Sequence, residues 1–264
     1  MNRKQPVVRP TTANSSAKKV VPPKFVLEKI IGNTATNNAC MAINPITNDV
    51  AYCAGCVLVV YSPKRNRQSR FLQNKKATKT SLTCVAFSPN GKYVAAGESG
   101  FEPAIIIWEV TTSKILCEIK NKGHKYGVSC IAFSPDCKYL VSVGHEHDQF
   151  IKLWEVPAPG KGADLLAAKK ITRKTHDVAF SEDGTYFVTA SEKMVKYWYI
   201  IPRSKKLTQT KSNIDIEGKK CTLNAFQDST FVSIAVGKSV DKQGTVAYTV
   251  TSDGHLCLFS SESR

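Results

Sequence analysis

Three stretches of this chain repeat one another. VAFSPNGKYVAAG from Val85, IAFSPDCKYLVSV from Ile131 and VAFSEDGTYFVTA from Val178 align without a gap. Their phenylalanines, Phe87, Phe133 and Phe180, are spaced 46 and 47 residues apart, and each is followed by a tryptophan: Trp108, Trp154 and Trp198. A period near about 40–45 residues is that of a propeller blade built from four strands. Within each unit the apolar residues alternate and are often β-branched, with no helical spacing. The F-S-P-N-G and F-S-E-D-G steps supply residues that tolerate positive φ and reverse the chain between strands.

Weaker units flank these three. Upstream, ACMAINPITNDVAYCAGCVLVVYS (39–62) has Asn44-Pro45 at the turn and Tyr61 in the tryptophan position. Downstream, FVSIAVGKSVDKQGTVAYTVTSDGHLCLFS (231–260) has Phe259 there. The expected fold is therefore all-β: a partial β-propeller of about five blades over 25–264, with blades near 39–74, 81–120, 124–171, 176–210 and 230–260. The fifth blade is expected to stop after its third strand. FVLEKIIG (25–32) reads as a lone fourth strand, and RSKKLTQTKSNIDIEGKK (203–220) as a polar, mobile insertion between the fourth and fifth blades.

The stretch GHEHDQFIKLW (144–154) places His145, Glu146, His147 and Asp148 side by side, which raises the question of a metal or catalytic site. The repeat answers it. The pattern resembles the WD-repeat family, in which a Gly-His, a strand Ser or Thr, a turn Asp and a Trp form a buried hydrogen-bond network. The matching residues are Gly123-His124, Ser142, Asp148 and Trp154. The resemblance implies that Asp148 is structural and that His145, Glu146 and His147 sit at a solvated loop tip. The network is complete in this blade alone: Thr78 and Ile171 stand where His belongs in the second and fourth blades. The runs LEKIIG, AGCVLVVYSPK, GESGFEPAIIIWEV and GHKYGVSC resemble, more narrowly, a subfamily of large scaffolds of stress-kinase signalling and spindle poles. In that subfamily the resemblance implies that a strand like 25–31 closes the last blade of a propeller. Because the chain ends at Arg264, it is expected to be a fragment, a short isoform or an incomplete gene model, with an open sheet edge at 255–260 able to pair with another chain.

No enzyme motif is present: no G-x-S-x-G, H-E-x-x-H, P-loop or post-strand G-x-G-x-x-G. The nine cysteines are scattered, which fits free core thiols in a reducing compartment. Cys53-x-x-Cys56 lacks a second ligand pair at zinc spacing. No catalytic residue, cofactor or metal is expected, and no membrane span, since no apolar run approaches about 20 residues.

The net charge of +16 is concentrated. Residues 1–24, a tail expected to be disordered, carry Lys18, Lys19 and four other cations without an acid; 62–80 carry Lys64, Arg65, Arg67, Arg70, Lys75, Lys76 and Lys79, again without one. These are candidate contacts to a polyanion, through a salt-screened attraction. KKVVPPKFVLEK (18–29) resembles a kinase-docking segment, and Ser62-Pro63-Lys64-Arg65 a proline-directed phosphorylation site at Ser62. Ser88-Pro89 and Ser134-Pro135 read as parts of the repeat's own turn. The expected function is a non-enzymatic scaffold that binds proteins: kinase-pathway components, tubulin or spindle-pole proteins, in the cytoplasm at the cytoskeleton or centrosome. The rival is a nuclear adaptor associated with nucleic acid, against which the basic runs lack interleaved aromatics for base stacking. A third reading is a truncated chain without a function of its own, or one that caps assembly through its open edge.

Overall fold

A computed structural model of the chain describes residues 27–74, 80–120, 123–158, 160–202, 214–238 and 244–260. Their strands form five antiparallel sheets, each a meander of sequence neighbours. The first contains β1 (Met41–Ile43), β2 (Val50–Ala54), β3 (Val57–Ser62) and β4 (Arg67–Leu72). The second contains β5 (Leu82–Phe87), β6 (Tyr93–Glu98), β7 (Ile105–Glu109) and β8 (Ile115–Ile119). The third runs β9 (Val128–Phe133), β10 (Tyr139–Gly144), β11 (Phe150–Glu155) and β12 (Asp164–Lys170). The fourth runs β13 (Thr175–Phe180), β14 (Tyr186–Ser191), β15 (Met194–Pro202) and β16 (Ile214–Lys220). The fifth has β17 (Phe231–Lys238), β18 (Thr245–Thr251) and β19 (Leu256–Ser260). The architecture is a run of propeller blades, as the period implies.

The repeated F-S-x-N/D step closes each first hairpin in one way. The hydroxyls of Ser88, Ser134 and Ser181 donate to Asn90, Asp136 and Asp183 at 2.7, 2.6 and 2.6 Å. Each also accepts the backbone N–H that opens the next strand, at Tyr93, Tyr139 and Tyr186. All three serines are fully buried, so their hydroxyls are turn components.

Apolar side chains fill the spaces between neighbouring sheets. Trp108 packs between the first and second sheets with Leu58 and Val94, Trp154 with Ile105 and Phe133, and Trp198 with Val141 and Leu153. The third and outer strands shift register just before Trp108 and Trp154, whose rings lie in the interior, and likewise before the half-buried Tyr61. Along the inner strands, side chains tie neighbouring blades: Cys40 Sγ donates to the Thr83 carbonyl at 3.0 Å, Thr83 Oγ1 to the Val128 carbonyl at 2.6 Å and Ser129 Oγ to the Thr175 carbonyl at 2.7 Å. At the fifth blade the tie is Ser233 Oγ to the Asp177 carboxylate at 2.9 Å. Asn38, in the turn before β1, donates to the same carboxylate and to the Val232 carbonyl. The start of the first blade is thereby fixed to the fourth and fifth.

Two expectations are corrected. Residues 27–36 form no strand; residues 25 and 26 lie outside the described region. The Ile30 backbone N–H and C=O both engage the Gln68 side-chain amide, at 2.8 and 2.7 Å, so neither is available for a ladder there. The segment lies against the first blade, and among the described residues no strand pairs with the outer edge of β19. Leu256 and Leu258 stand exposed on that strand. The second correction concerns 203–220: Ile214–Lys220 is the outer strand of the fourth blade, paired with β15 over seven residues. An outer strand with few inward residues, here Ile214 and Ile216, is polar enough to read as a loop.

Candidate functional site

The stretch at 144–154 crosses the end of β10, a tight turn and β11. Gly123-His124 precedes β9 and returns to this turn. His124 Nδ1 meets the Asp148 carboxylate, His124 Nε2 lies 2.8 Å from Ser142 Oγ, and Trp154 Nε1 donates to Ser142 Oγ at 2.8 Å. The second Asp148 oxygen accepts the Lys125 backbone N–H at 2.7 Å. One tautomer satisfies every group: His124 donates from Nδ1 to Asp148, and the Ser142 hydroxyl donates to Nε2 while accepting the indole N–H. Burial pushes the His124 pKa down and outweighs the nearby carboxylate, so the imidazole is neutral. Burial alone would raise Asp148, but the bonds from His124 and the Lys125 amide prevail and lower it. The result is an ionised acceptor under a neutral ring, a structural linkage in which both ring nitrogens, both carboxylate oxygens, the hydroxyl and the indole N–H have partners.

Gly144 is a member of this network that the sequence reading missed. A Cβ there would lie 2.2 Å from Asp148 Oδ2 and 2.6 Å from His124 Nδ1. Its signal was present as the first letter of GHEHD. The fourth blade keeps half the arrangement, with Trp198 Nε1 donating to Thr189 Oγ1 at 3.0 Å and buried Ile171 in place of His. In the second blade Ala96 replaces Ser142, and Trp108 relies on packing alone.

His145, Glu146 and His147 are exposed on the loop tip. Among the described residues, no three His, Cys, Asp or Glu side chains are arranged to hold a metal ion. His176 Nε2 is buried without a hydrogen bond, 4.0 Å from Glu192 Oε1.

The basic positions divide. Lys64 and Arg65 occupy a single 3-10 turn between β3 and β4, and Arg67 begins β4; all three are exposed. Arg70 is half-buried on β4 and donates to Ser113 Oγ of the second blade. None of the four forms an ion pair with a described residue. Lys18, Lys19, Lys75 and Lys76 lie outside the described residues, as do Thr78, most of the 18–29 segment and the rest of the 1–24 tail. Ser62 is the candidate phosphorylation site. It is 7% exposed, closes β3 and pairs with Arg67, so a kinase can reach it only if the hairpin opens.

The family description "WD domain, G-beta repeat" matches residues 69–109, 115–155 and 171–199. Mitogen-activated protein kinase-binding protein 1 of Mus musculus is 40% identical over 237 residues, 90% of this chain and 15% of that protein. WD repeat-containing protein 62 of Sus scrofa is 39% identical over 255 residues, 96% of this chain and 16% of its own length. The chain thus spans about a sixth of these relatives or less. Among solved structures, a chain of the "Crystal Structure of Mitotic Checkpoint Complex" superposes with a TM-score of 0.61 at 15% identity, covering 84% of this chain and 63% of that one. That likeness concerns the fold alone.

Proposed function

We propose, from the premise that the chain is a WD-repeat protein related to mitogen-activated protein kinase-binding protein 1 and WD repeat-containing protein 62, that it is a non-enzymatic scaffold. In this reading it holds kinase-pathway proteins and attaches to microtubules or spindle poles, in the cytoplasm. The kinase partner is supported by the name of the first relative. The observation that carries the attachment is the hairpin of Lys64, Arg65 and Arg67, exposed and without acid partners among the described residues. Three adjacent unneutralised cations on a rigid turn attract an acidic polymer over about 8–10 Å at ordinary salt.

The test is a competition. Labelled chain bound to tubulin is challenged with an acidic peptide copying a tubulin tail and, separately, with single-stranded DNA. The scaffold reading expects the peptide to compete, and expects Lys64→Glu to weaken tubulin binding. Displacement by DNA at far lower concentration, with no effect of the peptide, would move the chain to the nucleic-acid class.

A further inference from the structure

At the opposite end of the strands from the basic hairpin, three loops bring aromatic rings together in solvent. Phe101 comes from the turn between β6 and β7, Tyr126 from the connection into β9, and His147 from the turn between β10 and β11. Phe101 is 65% and Tyr126 43% exposed. Their centroids are 6.1 Å apart, and His147 meets Tyr126 edge-on at 6.5 Å. Lys125 Nζ lies 5.3 Å from the Tyr126 ring centre. The loops are held rigidly. Glu102 N–H donates to the Lys125 carbonyl, His145 N–H to that of Gly127, and the Lys125 N–H to Asp148. The patch therefore bridges the second blade and the third, the latter braced by the His124–Asp148–Ser142–Trp154 network.

The same end of the fourth blade carries a cleft of about 590 Å³ lined by Arg173, Lys193, Lys220 and Leu223. Arg173 and Lys220 are exposed and have no ion-pair partner among the described residues, whereas Lys193 is held by Asp228 at 2.9 Å.

We propose that this end is a docking surface for an extended acidic peptide bearing an aromatic or aliphatic anchor. The anchor seats against Phe101 and Tyr126, and the carboxylates meet Lys125, Arg173 and Lys220. Exposed, preorganised aromatics are the usual energetic centre of such an interface, and cations beside them select an acidic partner. Nucleic acid suits the surface less well. The edge-on and tilted rings, one already beside Lys125, offer little open face for base stacking. The surface is separate from the basic hairpin, so it goes beyond the proposed microtubule contact.

The experiment pans a displayed library of random dodecapeptides on the full 264-residue chain and titrates the enriched peptides by fluorescence anisotropy. A labelled oligothymidine is titrated alongside. The expected result is enrichment of acidic peptides with an aromatic or aliphatic anchor, weakened about tenfold or more by Phe101→Ser with Tyr126→Ser and by Arg173→Glu. Lys64→Glu should leave their binding unchanged, which separates this site from the hairpin. Both aromatics are exposed, so an unchanged melting temperature will show that the double variant is folded. No enrichment, enrichment of basic peptides, or full binding by the double variant would overturn the proposal. Oligothymidine binding lost in the double variant would overturn it in favour of nucleic acid.

Discussion

The Ser142 hydroxyl sits 2.8 Å from both His124 Nε2 and Trp154 Nε1, and is fully buried. It donates to one and accepts from the other, so its loss orphans two buried groups at once. Ser142→Ala is expected to cost about 1–3 kcal/mol of unfolding free energy. Urea denaturation of the two proteins measures it. The second blade lives with Ala96 at this position because it has no His–Asp pair to complete.

Gly144→Ala should reach the same network from the other side. The new methyl group would occupy the space between Asp148 and His124. The expected loss is on the order of 3 kcal/mol, at the upper end of single substitutions. In a double-mutant cycle with His124→Ala the cost should shrink, since the pair it disrupts is already gone. Additive costs would show that Gly144 acts elsewhere.

The neutral, buried His124 gives acid sensitivity of a definite sign. Its pKa in the folded state is lowered, first by burial, below the unfolded value of about 6.5. The unfolded chain then binds the extra proton, so the contribution is fully present above about pH 6.5 and is lost as pH falls toward the folded value. His176, also lowered by burial and by Lys174, acts in the same direction. Urea midpoints at pH 7.5, 6.5 and 5.5 should fall, and His124→Gln should flatten that fall.

Ser62 should be a poor kinase substrate in the folded chain. Its burial at the end of β3 predicts that a proline-directed kinase modifies a free peptide of this sequence at least about tenfold faster than the native protein, because only the opened hairpin is a substrate. Equal rates would mean that the hairpin opens readily.

How much of this was legible beforehand follows from burial. The Phe-Ser-turn step and the tryptophans announce the blades because inner strands and turns have strict requirements. His124, Ser142, Asp148 and Trp154 were readable because each must present one polar atom to the next. The outer strand Ile214–Lys220 was not, since only Ile214 and Ile216 on it carry an apolar signal. The lone strand expected at 25–32 failed over its described part for a local reason: Gln68, far off in sequence, takes both backbone groups of Ile30. Nor did the spacing disclose the grouping of Phe101, Tyr126 and His147. These come from three separate loops, and only the stacking of blades brings them together.

The scaffold reading is tested most directly by co-sedimentation with stabilised microtubules at low and high salt. The panel is the full chain, the chain from residue 25 onward, and a triple variant with Lys64, Arg65 and Arg67 each changed to Glu, alongside a control without microtubules. The account predicts that the full chain pellets only with microtubules, and that added salt or the triple substitution releases it. A chain that stays in the supernatant throughout would contradict the attachment. Pelleting without microtubules would show self-association, as through the exposed edge of β19, in place of a cytoskeletal contact.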